Sequence, residues 1–260
     1  MMARPTRPVA LVTGASSGIG ADLARELAKD GHDLVLSARS LEPMQRLAAE
    51  LESYGATSTV IATDLSNPGA GAELAGAIQS RALEIDVLVN NAGLGAVGRF
   101  DLTDPKRVSE MLQVNIVALT ELTRLLVPGM VARRRGKVLL VASTASFQPG
   151  PRMAVYFATK AYVLSLGEAL TYELRGTGVT VTTLCPGATA TNFFKVASAK
   201  DIALGPMMSA AKVAQIGYRA LKSGRRVVIA GAFNKILAAA SRLAPHSITL
   251  PATAALMSRR

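Results

Sequence analysis

The chain has 260 residues, of which half are hydrophobic and 18% are charged, so it can build a large core and does not belong to the class of intrinsically disordered chains. One cysteine and two histidines exclude an internal disulfide and leave too few ligands for a His/Cys metal site, so we expect no bound metal. The net charge is +11, but the basic clusters lack interleaved aromatic residues and the chain has no Trp, which favours a solvated basic surface over nucleic-acid binding.

Short apolar runs rich in β-branched residues alternate with helical patterns along most of the chain. Strands that are apolar on both faces are typical of a parallel sheet covered by helices on both sides. The pattern therefore predicts an α/β fold with a doubly wound parallel sheet of about seven strands, at residues 9–12, 33–37, 59–62, 87–89, 138–142, 179–184 and 226–230. Two long helices are predicted between these strands, at 105–127 and 154–174.

No linker rich in Pro, Gly or Ser divides the chain, so we predict a single domain over residues 1–260. Its core is expected at about residues 8–231. The strand–helix alternation stops near residue 231, and the apolar spacing beyond it predicts a C-terminal helical extension at about 232–260 that is interrupted at Pro245.

A glycine-rich turn follows the first predicted strand and opens the first helix. Gly14, Gly18 and Gly20 have the spacing G-x-x-x-G-x-G. Without a Cβ, a backbone can approach a pyrophosphate closely, and the N-terminus of the next helix presents free N–H groups to it. The strand–turn–helix context favours a dinucleotide site over a purely structural turn, with candidate contacts also at Ser16, Ser17 and Ile19.

The region after the second strand reads Ser37-Ala38-Arg39-Ser40 and contains no carboxylate. In dinucleotide-binding folds an acidic residue near this position holds the ribose 2′-hydroxyl, whereas an arginine accommodates a 2′-phosphate. Arg39 therefore favours NADP(H) over NAD(H), against the alternative that it is an ordinary exposed arginine.

Polar residues also follow the third and fourth predicted strands. Asp64, followed by Leu65, could accept a hydrogen bond from the adenine amino group or simply stabilise a turn. The segment Asn90-Asn91-Ala92-Gly93 could line the cofactor groove or stabilise a turn of its own.

Tyr156 and Lys160 are spaced i, i+4 on one predicted helix, so both side chains belong to one face. Ser143 ends the preceding strand, at the edge where open α/β sheets bind their ligands. Reduction of a carbonyl needs a proton donor, and a neighbouring ammonium would lower the pKa of a tyrosine towards neutrality. A serine hydroxyl can orient the carbonyl and stabilise the charge that grows on its oxygen.

With these motifs in order, the chain resembles the single-domain branch of the short-chain dehydrogenase/reductase family, whose fold is Rossmann-like. The resemblance spans about residues 8–191. It rests on the following motifs, all in matching order and spacing: Thr13-Gly14-Ala15-Ser16-Ser17-Gly18-Ile19-Gly20, Asn90-Asn91-Ala92-Gly93, Asn115, Ser143, Tyr156-x-x-x-Lys160, Pro186-Gly187 and Thr191.

The resemblance implies a role for each of these positions. Tyr156 would be the general acid/base, Lys160 would hold the nicotinamide ribose and lower the pKa of that tyrosine, and Ser143 would bind the substrate oxygen. Asn115 would anchor a water that relays protons to Lys160, although it could merely bond a neighbouring backbone carbonyl. The remaining cofactor contacts would include Asn91, Ala92, Gly93, Pro186, Gly187, Thr189 and Thr191.

A flap over the substrate is implied at about residues 192–212. Its Phe and Met residues, at positions 193, 194, 207 and 208, predict a lipophilic ketone, aldehyde or acyl-type substrate, although ordinary packing would explain them too. The basic, amphipathic tail could pack on the domain, on a second subunit or on an anionic membrane surface.

The leading interpretation is thus an NADP(H)-dependent oxidoreductase that acts on carbonyl and alcohol groups. The alternatives are a non-catalytic NADP(H)-binding regulatory protein and an epimerase of nucleotide sugars, which usually carries a larger substrate domain. The family resemblance further implies a homodimer or homotetramer. No export signal is evident, so we expect a cytoplasmic protein, with peripheral membrane contact through the tail left open.

Overall fold

A computed structural model describes residues 7–193, 197 and 207–258. Its central feature is a seven-stranded parallel sheet with the strand order β3-β2-β1-β4-β5-β6-β9. These strands are β1 (Val9–Thr13), β2 (Asp33–Ala38), β3 (Ser58–Ala62), β4 (Ile85–Asn90), β5 (Gly136–Val141), β6 (Val179–Cys185) and β9 (Val227–Ile229). The predicted α/β fold is confirmed, and each strand lies within two residues of its predicted bounds.

Two short strands, β7 (Thr189–Ala190) and β8 (Met208–Ser209), pair separately and were not predicted. The helices are α1 (Gly18–Lys29), α2 (Leu41–Leu51), α3 (Ala70–Gln79), α4 (Pro105–Leu112), α5 (Leu119–Ala132), α6 (Ala154–Glu173), α7 (Ala210–Lys222), α8 (Ala232–Leu243) and α9 (His246–Ser258). The last two form the predicted helical extension, and the break between them falls at Ala244 and Pro245.

The sheet separates two apolar cores, because neighbouring residues of each strand point to opposite faces. In β1, Leu11 packs with residues of α3, α5 and α6, whereas Ala10 and Val12 pack with residues of α1, α2 and α7. All three side chains are fully buried. Burial on both faces explains why the strands read as continuous apolar runs rather than alternating ones.

The predicted helix at 105–127 is a longer element that runs from Pro105 to Ala132 and contains a π-helical segment, Gln113–Ala118, between α4 and α5. By length and composition alone this helix could cross a membrane. In this structure 44% of its most apolar stretch is buried inside the domain. Met111, Val114 and Leu122 belong to the core next to the sheet.

The functional residues converge because parallel strands end at one edge of the sheet. The glycine-rich turn follows β1, Asn91 follows β4, Ser143 lies two residues beyond β5, and Pro186 follows β6. The strand order reverses between β1 and β4, and such a switch point leaves a crevice at the carboxyl ends of the strands.

Candidate active site

The glycine-rich turn and the segment after β4 are joined by hydrogen bonds. The Thr13 hydroxyl accepts hydrogen bonds from the backbone N–H groups of Asn91, at 3.0 Å, and Ala92, at 3.1 Å. In return, the Asn91 side-chain amide donates to the carbonyls of Thr13 and Gly14 at 3.0 and 3.2 Å. Asn91 therefore holds the glycine-rich turn in position. The sequence had left open whether this segment lines the cofactor groove or stabilises a turn.

The glycines of the turn are required by backbone conformation and by space. Gly14 and Gly18 have φ angles of +65° and +58°, a region that favours glycine. A Cβ on Gly20 would lie 2.4 Å from the Asn91 amide nitrogen. Because α1 starts at Gly18 without a side-chain cap from Ser17, its first N–H groups can bind an anion. This backbone cradle fits the pyrophosphate of a dinucleotide.

Arg39 and Asp64 both line the end of the cavity that the turn opens into. Arg39 is exposed beyond the end of β2, with Ser40 beside it. The Asp64 carboxylate accepts hydrogen bonds from the Ser66 N–H at 3.0 Å and the Ser66 hydroxyl at 2.7 Å, so it does stabilise a turn. Burial raises the pKa of Asp64, but these hydrogen bonds and the charge of Arg39 outweigh it, and the net pKa is lowered.

Ser143, Tyr156 and Lys160 line the same cavity. Ser143 precedes a short 3₁₀ helix, Thr144–Phe147, and its Oγ accepts a hydrogen bond from the Ala145 N–H at 3.1 Å. The Lys160 Nζ donates to the Val141 carbonyl at 2.9 Å and lies 5.9 Å from the centre of the Tyr156 ring. Lys160 is thus tethered to the end of β5, one helical turn from the phenol.

The pKa of Tyr156 differs from the value that the sequence led us to expect. Burial raises the pKa of Tyr156 to about 12, and the hydrogen bond from the Ser143 hydroxyl only partly opposes that rise. The sequence predicted a lowered pKa, and that prediction is wrong for this structure because desolvation is the largest influence on the phenol. Burial also lowers the pKa of Lys160 to about 8.

Asn115 is completely buried in the π-helical segment. Its amide nitrogen donates to the Leu94 carbonyl at 2.9 Å and to the Thr159 hydroxyl at 3.0 Å, while its Oδ1 accepts from the Leu94 N–H at 2.8 Å. The side chain therefore does bond a neighbouring backbone, and it ties the loop after β4 to the helix that carries Tyr156. The water relay implied by the family resemblance stays a prediction.

The segment after β6 forms the opposite wall. Pro186, Gly187, Thr189 and Thr191 all line the cavity, and a Cβ on Gly18 would touch Thr191 at 3.0 Å. A Cβ on Gly187 would lie 2.3 Å from Asn234, whose buried amide donates to the Ala230 carbonyl. Asn234 was missed by sequence reasoning, and its only signal was an amide within the apolar stretch that opens α8.

These residues enclose a cavity of about 500 Å³. Part of its wall, Gln148, Met153 and Phe157, was not predicted. The tail closes the cavity with residues of α8, of α9 and of the break between them: Leu237, Ala238, Ala240, Ser241, Ala244, Ile248, Thr249, Ala252, Thr253 and Met257. The sequence left open whether the tail packs on the domain, on a second subunit or on a membrane surface. In the structure the inner face of the tail packs on the domain and covers the cavity. We call these tail residues the roof.

The flap predicted at 192–212 lies largely outside the described residues, including Phe194. Phe193 lines the cavity, with its ring centre 5.2 Å from that of Tyr156. Met207 and Met208, by contrast, are not among the cavity-lining residues. Met207 is exposed, and Met208 packs beside Gly231 from strand β8. Two of the four residues that suggested a lipophilic substrate therefore do not support it.

Comparison with known proteins places this geometry among enzymes. A family model described as short chain dehydrogenase matches residues 8–202. A very-long-chain 3-oxoacyl-CoA reductase of Anas platyrhynchos is 35% identical over 194 residues, which are 72% of this chain but only 61% of that protein. The chain thus spans less than two thirds of the length of this relative.

Solved structures of other proteins superpose on this fold, and one of them covers enough of the chain to include part of the tail. A short-chain dehydrogenase from Sphingobium yanoikuyae in complex with NADPH superposes with a TM-score of 0.81 and 32% identity, over 89% of this chain and 93% of that one. A 7β-hydroxysteroid dehydrogenase superposes with a TM-score of 0.85 and 25% identity, over 95% and 96% of the two chains.

Proposed function

The chain belongs to the short-chain dehydrogenase family, and from this premise we propose that it is an NADP(H)-dependent oxidoreductase that interconverts a lipophilic carbonyl compound and its alcohol. The observation that carries this proposal is the placement of Ser143, Tyr156 and Lys160 on one wall of a single cavity whose other end is a dinucleotide cradle. A non-catalytic binding protein would have no use for that arrangement.

The chemistry of this chain's residues follows from their positions. A bound nicotinamide supplies or accepts the hydride. The Ser143 hydroxyl, held by the Ala145 N–H, orients the substrate oxygen. Because its pKa is raised to about 12, Tyr156 is protonated at neutral pH, which is the form that donates a proton to the oxygen of a carbonyl during reduction. Lys160 brings positive charge to within reach of the phenol and would favour the reverse step.

Preference for NADP(H) is supported by the chain's own charges. Arg39 borders the cavity just beyond β2, where no carboxylate is present to repel a 2′-phosphate. The lowered pKa of Asp64 keeps that neighbouring carboxylate ionised, but its hydrogen bonds with Ser66 direct it into its own turn. The NADPH complex of the relative from Sphingobium is in keeping with this preference.

A lipophilic substrate is supported by the chemistry of the roof. Leu237, Ile248 and Met257 line the cavity together with Met153 and Phe157. Apolar side chains of this kind bind apolar ligands by burying their surface. Two of the relatives named above act, by their names, on very-long-chain acyl and steroid compounds.

Assembly and location are further parts of the proposal. Exposed apolar residues on α4 to α6, namely Leu112, Val117, Leu125 and Tyr162, offer a surface for a homodimer or homotetramer. We place the protein in the cytoplasm. The exposed outer face of α8, with Phe233, Ile236 and Leu243, is the surface through which it would touch an anionic membrane.

The test is NADPH consumption with a panel of lipophilic ketones, aldehydes and acyl carbonyls. We expect Tyr156→Phe to abolish turnover while NADPH binding persists. Tyr172→Phe is the matched control, because Tyr172 lies on the same helix but is 68% exposed and away from the cavity. NADPH binding without turnover of any carbonyl by the wild-type protein would favour the regulatory alternative.

A further inference from the structure

One polar group of the roof has no function in the fold. Thr249 is 7% exposed and lines the cavity, yet its hydroxyl is buried without a hydrogen-bond partner among the described residues. A threonine in a helix usually donates to the carbonyl four residues earlier. Here the Pro245 carbonyl already accepts the N–H groups of Ile248 and Thr249, at 3.0 and 3.1 Å.

A buried hydroxyl that makes no hydrogen bond is costly, and of the described side chains with such an unpaired buried atom Thr249 is the one that lines the cavity, where a ligand can supply the partner. Most other roof residues are apolar, including Ile248 and Ala252 in α9, Leu237 in α8 and Ala244 at the break between the two helices. Water would therefore find few partners beside it.

Thr249 lies two turns of α9 away from the residue of that helix that packs next to the catalytic tyrosine. Met257, near the end of the helix, packs in a cluster with Met153 and Phe157, against which Tyr156 also packs. Thr249 lies eight residues earlier, which is about 12 Å along a helix axis. Thr253 and Met257 follow it at i+4 and i+8, so all three belong to one inward face.

Charge limits the kind of group that Thr249 would meet. The charged residues among the described cavity lining are Arg39, Asp64 and Lys160, and each of them belongs to the cofactor end or to the catalytic group. No charged residue of the described lining belongs to the roof, and a neutral hydroxyl or keto group needs only one hydrogen bond there, so the lining favours a neutral group over a carboxylate.

We propose that Thr249 is a specificity-determining residue that hydrogen-bonds a second, uncharged oxygen of the substrate, at the end remote from the reacting carbonyl. The substrate class is then a lipophilic carbonyl compound with a hydroxyl or keto group at its far end, either on a medium-length chain or on a fused-ring system. This inference rests on the proposed function and adds the chemistry of the distal end.

The test uses two probe pairs: a ten-carbon methyl ketone with and without a terminal hydroxyl, and an androstane ketone with and without a hydroxyl at the far end of its rings. Binding is measured by calorimetry in the presence of NADP⁺, so that no turnover is needed. In at least one pair we expect the wild-type protein to bind the hydroxylated member about five- to tenfold more tightly, which is the effect of one added hydrogen bond.

Thr249→Val keeps the shape of the side chain and should abolish this preference, whereas Thr249→Ser should retain it. The midpoint of thermal unfolding should not fall in Thr249→Val, because the hydroxyl has no partner to lose. A lower midpoint together with an unchanged preference would show that the hydroxyl has a structural role, and would overturn the proposal. The same conclusion follows if the wild-type protein binds neither pair, or prefers a terminal carboxylate to the hydroxyl.

The two proposals fail separately in this design. Reduction that depends on Tyr156 without any preference due to Thr249 would remove only this inference. A preference due to Thr249 in a protein that reduces no carbonyl would instead remove the proposed function and leave a binding site for the same class of ligand.

Discussion

Replacing the buried lysine of the active site should stabilise the fold while it destroys the activity. Lys160 is 4% exposed, and its ammonium has no ion-pair partner in the part of the chain that the structure describes, only the Val141 carbonyl at 2.9 Å. Burial lowers its pKa from 10.5 to about 8. At neutral pH the fold therefore holds a charge that the unfolded chain solvates better.

The size of this effect follows from the pKa shift. Each pKa unit corresponds to about 1.4 kcal/mol, so the charged lysine costs the fold about 3 kcal/mol below pH 8. Lys160→Met removes that cost and fills similar space, but it leaves the Val141 carbonyl unpaired, at a cost of about 1 kcal/mol. We expect Lys160→Met to raise the free energy of unfolding by about 2 kcal/mol at pH 7.

The difference in stability between Lys160→Met and the wild-type protein should depend on pH. The pKa is lower in the folded state, so wild-type stability rises with pH between about 8 and 10.5, while a methionine does not titrate. The advantage of Lys160→Met should thus be constant below pH 8 and shrink through this window, and above it the variant should be about 1 kcal/mol less stable because the Val141 carbonyl stays unpaired.

Urea unfolding without added nucleotide, followed by circular dichroism from pH 7 to 10.5, measures the difference. Lys106→Met, at an exposed position, is the control and should change stability by less than about 0.5 kcal/mol. An equal or lower stability of Lys160→Met at pH 7, or a gain that does not change with pH, would refute the reasoning.

Three further predictions concern the cofactor end, the core and the tail. Arg39→Ala should weaken NADPH binding about tenfold and leave NADH binding unchanged in a fluorescence titration, and equal effects on both would remove the role of its guanidinium at the 2′-phosphate. Asn115→Leu should destabilise the fold by about 3 kcal/mol in chemical unfolding, because the buried N–H and carbonyl of Leu94 lose their partners. A change below about 1 kcal/mol would contradict that role. Full-length protein should float with anionic vesicles, and Ile236→Asp with Leu243→Asp should prevent this; a wild-type protein that stays at the bottom of the gradient has no membrane contact of this kind.

The sequence was most informative where a local pattern and the fold require the same thing. The strands could be predicted because burial on both faces demands continuous apolar runs, as in β1 and β5. The glycines of the turn after β1 could be predicted because backbone conformation admits few other residues at Gly14 and Gly18. The spacing of Tyr156 and Lys160 needed only one helix to bring them to one face.

The remaining features depend on tertiary packing, which no local pattern contains. The apolar spacing of α8 and α9 indicated an amphipathic tail but not the surface that its inner face covers, so the roof and the orphan hydroxyl of Thr249 were not predicted. The pKa of Tyr156 was expected to fall because Lys160 is near in sequence, whereas burial by the surrounding cavity raises it. Asn234 becomes part of the site through its hydrogen bond to the Ala230 carbonyl and the close approach of Gly187, which only the folded chain brings together.

The most direct test of the central claim follows the hydride itself. The protein is supplied with NADPH deuterated at the transferring position of the nicotinamide, together with a lipophilic ketone that it consumes, and the alcohol is analysed by mass spectrometry. Our account predicts one deuterium on the carbinol carbon with the wild-type protein and with Tyr172→Phe, and no alcohol with Tyr156→Phe. Alcohol without deuterium, or deuterated alcohol formed at the wild-type rate by Tyr156→Phe, would contradict it.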